Sequence, residues 1–371
     1  MSNEPKRHLG GLLASAGIRV NGSNPWDIRV HNEAFWQRTM AGGSLAAGEA
    51  FMDGWWDVPA LDQFFCKLLN ADLERELKNW KMIWPILRAK LQNQQSPTKS
   101  WKVGQHHYDI GNPLYQLMLD PYMCYSCGFW KAAENLDQAQ IAKLERCCQK
   151  LKLKPGMRVL DIGCGWGGFA RYATEKYGVE VVGINNSAQQ IALAKELCHG
   201  LPIELTMMDY RKLRDAKGFD RIISIGMFEH VGYKNFRLFM QIVCRLLKPH
   251  GLFLLHTIGG NKPVVSTDPW IGTYIFPNSM LPSASQVARA YEGILVMEDW
   301  ENFGPDYDKT LMAWHENFVQ GWSEIANDYD QRFFRMWVYY LLSCAGSFRA
   351  RKNQLWQIVL SKGDVEKYQR V

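Results

Sequence analysis

No uninterrupted apolar run in this chain of 371 residues reaches the eighteen or so that a membrane-crossing helix needs. The nearest stretch, 333–348, is too short and carries Arg335. The opening MSNEPKRHLGGLLASAGIRV has no apolar segment of signal-peptide length and no clear cleavage site, so no secretory leader is expected. The 9 cysteines are odd in number and irregularly spaced, which argues against a disulfide framework and for reduced thiols in a cytoplasm. Cys124 and Cys127 form one C-x-x-C, but no second pair stands at zinc-site spacing, and no metal site is expected. There is no internal repeat and no low-complexity segment. Composition is not extreme either: 47% hydrophobic and 22% charged residues exclude disordered, collagen-like and coiled-coil chains. A chain of this length buries a substantial core without disulfides or metals and has room for two domains.

The net charge is concentrated in one place. The formal net charge is +6, and between Arg75 and Lys102 there are seven Lys or Arg against one acid, Glu76. The rest of the chain is therefore balanced.

Three regions follow one another. Residues 1–92 are rich in Trp, Gly and helical patterns, and 93–103, NQQSPTKSWKV, reads as a polar linker. From 104 to 371 the pattern is α/β. Residues 136–151 place Ile141, Leu144, Cys148 and Leu151 on one helical face before Pro155-Gly156 breaks the chain. The adjacent Cys147 and Cys148 read as packing. Then come a strand MRVLDI, a glycine-rich turn GCGWGG, a helix FARYATEKYG closed by Gly178, a strand VEVVGI and a helix AQQIALAKELCHG. The segments IELTMM, FDRIISIGM and GLFLLHTI supply three more strands, with NFRLFMQIVCRLLKPHG a helix between the last two. Strands alternating with helices predict a mostly parallel, doubly wound sheet covered on both faces. A smaller, mainly helical N-terminal domain would accompany it.

VLDIGCGWGG, from Val159 to Gly168, follows a strand and opens a helix, as a nucleotide-binding turn requires. Glycines 163, 165 and 167 allow a tight turn and close backbone approach to a ligand. The string also satisfies G-x-G-x-x-G. NAD binding, however, calls for an acid about 20 residues on, and VVGINNS puts Asn185 and Asn186 there instead. Asp161, before the glycines, resembles the acid of S-adenosylmethionine methyltransferases. Asp209-Tyr210, after the third strand, suits an adenine amino group and its ring face. In an open α/β sheet ligands lie beyond the carboxyl ends of the strands. Glu229 and His230 follow one strand there, and His256 sits in the last turns of another. Glu229 and His256 thus bring ionisable groups from two strands to the edge that carries the glycine loop. YMCYSCGFW, 122–130, is a dense aromatic and thiol segment that by itself reads as packing.

Taken together, GSLAAGEAFMDGWW (43–56), HYDIGN (107–112), YSCGFW (125–130), VLDIGCGWGG, GMFEHVG (226–232), FLLHTIG (253–259), DPWIGTYIFPN (268–278), MEDWENFGPDYDKTLMAW (297–314) and CAGSFRAR (344–351) resemble the bacterial cyclopropane-fatty-acyl-phospholipid and mycolic acid cyclopropane synthase family. The resemblance covers nearly the whole chain. It implies a Rossmann-like class I methyltransferase fold. The activity it implies transfers the methyl carbon of S-adenosylmethionine to the cis double bond of a phospholipid acyl chain. A carbocation then closes to a cyclopropane by losing a proton, which a bound bicarbonate ion is thought to accept. The residues that match the bicarbonate site are Cys127, Glu229, His256, Tyr307 and the backbone N–H of Ile258. Cys344 matches a cysteine long proposed as catalytic, for which bicarbonate chemistry leaves no obvious role. Matching cofactor contacts are Tyr125, Ser126, the loop Val159, Leu160, Asp161, Ile162, Gly163, Cys164, Gly165, Trp166 and Gly167, then Asn185, Asn186, Ser187 and Gln190, and Asp209 with Tyr210. The family usually has Thr and an aliphatic residue where this chain has Asn185-Asn186, either of which can hydrogen-bond a ribose hydroxyl. The resemblance also implies a homodimer.

The chemistry is consistent with these residue types. An alkene is a poor nucleophile, so alignment with the sulfonium methyl should supply much of the rate. Two neighbouring anions, bicarbonate and Glu229, are costly unless a proton separates them, and an imidazolium at His256 or a shared proton would meet that need. Residues 76–91, ELKNWKMIWPILRAKL, interleave Trp80, Ile83, Trp84 and Leu87 with Lys78, Lys81, Arg88 and Lys90, a pattern suited to an anionic membrane surface. The partner expected there is unsaturated phospholipid in the bilayer, with the enzyme cytoplasmic and peripheral to the inner membrane. Nucleic acid is not expected, since no recognition motif accompanies the basic patch. The alternative activity is a related methyltransferase that adds a methyl branch or acts on a small amine.

Overall fold

The computed structural model describes residues 4–71, 111–365 and 367–371. The basic stretch 76–91, the linker 93–103 and most of the motif at 107–112 lie outside the described residues.

The N-terminal part is built from α1 (Glu4–Ser15), β1 (Arg29–Val30), α2 (Ala34–Met52), β2 (Trp56–Asp57) and α3 (Leu61–Asn70), with α2 bent at Gly43 (φ 62°). Next come α4 (Asn112–Met118) and α5 (Leu136–Lys150). The α/β core follows as β3 (Arg158–Ile162), α6 (Gly168–Tyr177), β4 (Glu180–Asn185), α7 (Ala188–Leu197), β5 (Ile203–Met207), β6 (Phe219–Ile225), α8 (Phe236–Leu246) and β7 (Leu247–Gly260). The chain ends with α9 (Pro269–Tyr274), α10 (Ala284–Tyr291), β8 (Val296–Asn302), α11 (Pro305–Ile325), α12 (Gln331–Arg349) and β9 (Asn353–Ser361).

The five expected strands form the parallel part of a seven-stranded sheet in the order β5-β4-β3-β6-β7-β9-β8. The apolar runs of the central strands β3, β6 and β7 are largely buried on both faces, as parallel strands under helices must be, while the edge strand β5 is half exposed. β3 pairs with β4 on one side and β6 on the other, so the strand order reverses there, and this is where a doubly wound sheet opens a crevice. Two strands go beyond the sequence expectation. β9 pairs antiparallel with β7 from Leu252↔Ser361 to Gly260↔Asn353, and β8 closes the edge antiparallel to β9.

Two helical expectations are corrected. The helix expected over 235–251 stops at Leu246, because Pro249 drives the residue before it out of the helical region, and Leu247 already belongs to β7. In α5, Leu144, Cys148 and Leu151 are buried as expected, but Ile141 is 42% exposed. The buried face is set by Gln140, Lys143, Leu144, Cys147 and Cys148, so two polar side chains point inward where Ile141 was expected to. The expected stop at Gly178 is present, with φ 62°.

The N-terminal helices share one hydrophobic cluster with α11 and α12, including the buried Trp56, Trp270, Trp314 and Trp337. Truncating one of these indoles to Ala should cost about 3–5 kcal/mol. α3 and α2 lie on α12. Gly346 makes the approach possible, since a Cβ there would stand 2.5 Å from the Asp62 carbonyl oxygen. Three arginines of α12 reach across to three N-terminal aspartates: Arg332 to Asp53 at 2.9 Å, Arg335 to Asp57 at 2.6 Å, and Arg349 to Asp62. Part-exposed pairs of this kind stabilise weakly, by about 0–1 kcal/mol each, and mainly fix register. Among the described residues no helix is long and apolar enough to cross a membrane.

Candidate active site

A cavity of about 980 Å³ opens over the carboxyl ends of β3, β4, β6 and β7. Its floor is the glycine turn between β3 and α6. Gly163, Gly165 and Gly167 take φ values of 87°, 54° and 81°, which side-chain-bearing residues adopt only with strain. Gly163, Cys164, Gly165 and Trp166 line the cavity, together with Asp161 at the end of β3. Burial pushes the Asp161 carboxyl up to about 7, against the opposing field of Lys143.

On one side lie Asn185, Asn186 and Gln190. The Asn185 amide donates to Gln190 Oε1 at 2.6 Å, and its Oδ1 accepts from the Asn186 N–H at 2.8 Å. Asn186 Oδ1, by contrast, is buried without a partner. Tyr210 and Arg211 complete this side. Asp209 does not line the cavity and is gripped by the Arg211 guanidinium, with Nε 2.9 Å from Oδ1 and Nη2 2.5 Å from Oδ2. Burial acts to raise the Asp209 carboxyl, but Arg211 outweighs it and holds the group below its ordinary range.

On the other side the segment 123–126 passes over the glycine turn. The Tyr125 hydroxyl donates to Tyr340 Oη at 2.8 Å, and Ser126 Oγ accepts from Lys143 Nζ at 3.0 Å. Gln140, one turn before Lys143, donates to the Ser126 carbonyl at 2.7 Å. The buried polar face of α5 thus braces this segment against the sheet.

The turn after β6 brings in Glu229, 5% exposed. Its Oε1 accepts from the Ile258 N–H at 2.6 Å, while Oε2 is buried without a partner. Burial pushes this carboxyl up to about 7. His256, inside β7, is 1% exposed, and burial together with the fields of Lys143 and Lys150 holds its imidazole well below the usual range. Without a bound anion the imidazole is therefore neutral at neutral pH. The Gln357 amide of β9 stands 3.3 Å from His256 Nδ1, and His256 Nε2 has no partner. With Gln357 donating to Nδ1, the neutral ring carries its proton on Nε2.

Tyr307, at the start of α11, lines the cavity, and burial plus Cys127, Glu229 and Cys344 around it raise its phenol. Cys127 is fully buried, with its thiol 3.1 Å from the Gly128 carbonyl and 3.9 Å from Thr310 Oγ1, and burial keeps it protonated. Cys344 lines the cavity from α12, and burial pushes its thiol up to about 12. The remaining wall is largely apolar, from Phe65, Leu68 and Leu69 of α3 to Tyr339 and Phe348 of α12.

Of the residues expected at the site, Tyr125, Ser126, Asp161, Gly163, Cys164, Gly165, Trp166, Asn185, Asn186, Gln190, Tyr210, Glu229, Ile258, Tyr307 and Cys344 line this one cavity. Val159, Leu160 and Ile162 do not, because they are core residues of β3. Ser187 caps α7 by accepting from the Gln190 N–H, Gly167 caps the start of α6, and Cys127, His256 and Asp209 do not line the cavity. Sequence reasoning missed Lys143, Arg211 and Gln357. Lys143 had a usable signal, its spacing of three and four residues from Gln140 and Cys147 on one helical face. All nine cysteines are free thiols, and among the described residues no three His, Cys, Asp or Glu converge as a metal-ligand group.

The chain is similar to known proteins over most of its length. The family model described as mycolic acid cyclopropane synthetase matches residues 95–358. The chain is 56% identical over 353 residues to the cyclopropane-fatty-acyl-phospholipid synthase of Escherichia coli (strain K12), covering 95% of this chain and 92% of that one. The cyclopropane synthase MmaA2 from Mycobacterium tuberculosis superposes with a TM-score of 0.66 at 30% identity, covering 71% of this chain and 98% of that one. The mycolic acid cyclopropane synthase CmaA1 complexed with SAH and CTAB gives 0.66 at 31% identity, covering 71% and 98%. The fold is that of class I methyltransferases, as expected from the sequence.

Proposed function

Because the chain belongs to the mycolic acid cyclopropane synthetase family, we propose that it transfers the methyl carbon of S-adenosylmethionine to the cis double bond of an unsaturated phospholipid acyl chain and closes a cyclopropane ring. The π electrons form a bond to the sulfonium methyl, the carbon–sulfur bond breaks and S-adenosylhomocysteine leaves. The carbocation then loses a proton as the second ring bond forms. The observation that carries this reading is one cavity in which the glycine turn, the Glu229–Ile258 pair and a long apolar wall meet.

The glycine turn, Ser126, Asp161 and the Asn185–Gln190 segment hold the methyl donor, and Asn186 Oδ1 suits a ribose hydroxyl. The apolar wall holds the acyl chain in line, which exchanges a bimolecular encounter for alignment. Rings of Tyr125, Tyr307 and Tyr340 on the wall suit a developing cation. A base for the departing proton is what bicarbonate would supply when bound. Two observations fit such an oxyanion: Glu229 Oε2 and His256 Nε2 are buried polar atoms without partners. Glu229, His256, Tyr307, Cys127 and the Ile258 N–H would hold it. With His256 neutral, the charge of a second anion is balanced by a proton on Glu229, whose carboxyl already sits at about 7.

The basic stretch 76–91 is proposed to dock the enzyme on anionic lipid at the cytoplasmic face of the inner membrane, and the active form is proposed to be a homodimer. Incubation with unsaturated phospholipid vesicles and labelled S-adenosylmethionine, followed by NMR of the acyl product, tests the activity. Cyclopropyl protons at high field are expected, and a methylated alkene would refute ring closure.

A further inference from the structure

Lys143 is the least expected residue on the cavity wall. It is 1% exposed, and it reaches the cavity beside Ser126 and Asp161. Its ammonium donates to Ser126 Oγ at 3.0 Å and faces the thiols of Cys124 and Cys147 and the carboxyls of Asp120 and Asp161. Asp120 is already committed to the N–H groups of Tyr122 and Cys124, at 2.9 and 2.8 Å. Burying a cation is costly without a close anion, and a lysine in the middle of a packed helix face adds nothing to the core that Met or Leu would not. The neighbouring pair of a cation at Lys143 and an acid at Asp161 is complementary to a zwitterion. S-adenosylmethionine ends in one, an α-carboxylate beside an α-ammonium. Arg211, another cation on this wall, is forked onto Asp209 on the side of Asn185 and Tyr210.

We propose that Lys143, with the Ser126 hydroxyl it orients, binds the α-carboxylate of the methyl donor and so fixes the amino-acid end of the ligand. This rests on the reading of the cavity as an S-adenosylmethionine site. A charged hydrogen bond in a dry site is the strong kind, and its loss leaves the ligand carboxylate unpaired.

Calorimetric titration of wild type and Lys143→Met with two product analogues tests the assignment. S-adenosylhomocysteine has the carboxylate, and 5′-methylthioadenosine lacks the whole amino-acid end. Lys143→Met should weaken S-adenosylhomocysteine about tenfold to a hundredfold and change 5′-methylthioadenosine by less than about twofold. Unchanged affinity for both overturns the proposal. If both fall together, Lys143→Gln decides, because it removes the charge while keeping a polar N–H donor at the site. A selective loss of S-adenosylhomocysteine supports the assignment, and a parallel loss overturns it. A wild-type chain that binds neither ligand overturns the cofactor reading itself, and that result is visible before any variant is made. Intact affinity in Lys143→Met with an altered bicarbonate requirement would assign the cation to the other anion and refute the proposal.

Discussion

Asp161 and Glu229 belong to neighbouring strand ends of one sheet, and burial lifts both to about 7, yet they keep different company. Asp161 faces a buried lysine, whose field opposes its protonation. Glu229 faces the Ile258 backbone N–H, the Thr257 hydroxyl and the Tyr307 phenol, with no cation among the influences on it. The difference teaches how one sheet edge runs two kinds of electrostatics. Burial favours the proton on both, but at Asp161 a cation works against it, which suits a cationic ligand group. The other is left able to keep a proton, which suits an anion arriving next to it.

The largest effect expected from breaking this contrast is on turnover. Glu229→Gln should lower kcat by about a hundredfold to a thousandfold, the usual cost of removing one preorganised group at a reacting centre, while leaving S-adenosylhomocysteine affinity nearly unchanged. An unchanged kcat would erase the distinction between the two acids.

Stability against pH separates them next. The folded value of Glu229, about 7, lies above its ordinary 4.5, so the folded state retains a proton that the unfolded state has lost. The favourable contribution is complete below about 4.5 and is lost as pH rises through about 7. Glu229→Gln should therefore match the parent near pH 4.5 and exceed it by about 3 kcal/mol at pH 8, read by urea unfolding of the ligand-free protein. A gap independent of pH would show that the Glu229 carboxyl titrates alike in the folded and unfolded states.

Asp161→Asn should show the opposite kinetic pattern. It is expected to weaken S-adenosylhomocysteine about tenfold to a hundredfold, with a smaller change in kcat at saturating donor. Smallest of all is Cys344→Ser. A thiol raised to about 12 supplies no thiolate at neutral pH, so kcat should change by less than about threefold. A loss comparable to that of Glu229→Gln would restore a catalytic role to Cys344.

Much of this edge was legible because it depends on local pattern. The glycine turn needs its residues within a few positions of one another, and the five parallel strands announce themselves as short apolar runs between helices. The rule that ligands lie beyond the carboxyl ends then picks out Glu229 and His256 without any coordinates. β8 was not legible, since Glu298, Asp299 and Glu301 make it read as a polar segment, and it is a strand because β9 pairs with it. β9 carried a faint signal in LWQIVL, but the Gln357 that interrupts the run is the residue that sets the His256 tautomer. Ile141 and Lys143 show the sharper limit. Apolar periodicity turned α5 so that the isoleucine pointed inward, whereas the tertiary structure buries the lysine two residues on. Its partners, Ser126 and Asp161, lie on other elements and do not enter a helical repeat.

The sequence alone determined the sheet type, the nucleotide turn and the identities of the residues at the strand ends, because each follows from spacing of a few residues or from a backbone rule. Only the tertiary structure decided their states: that His256 is neutral, that Glu229 and Asp161 sit near neutrality, that Asp209 is tied to Arg211 and that Lys143 stands charged in the wall. Protonation depends on burial and on charges brought from distant parts of the chain, and the long-range fold supplies both. The same holds for the N-terminal helices, whose Phe65, Leu68 and Leu69 join the cavity wall only because Gly346 lets α12 come close enough to carry them there.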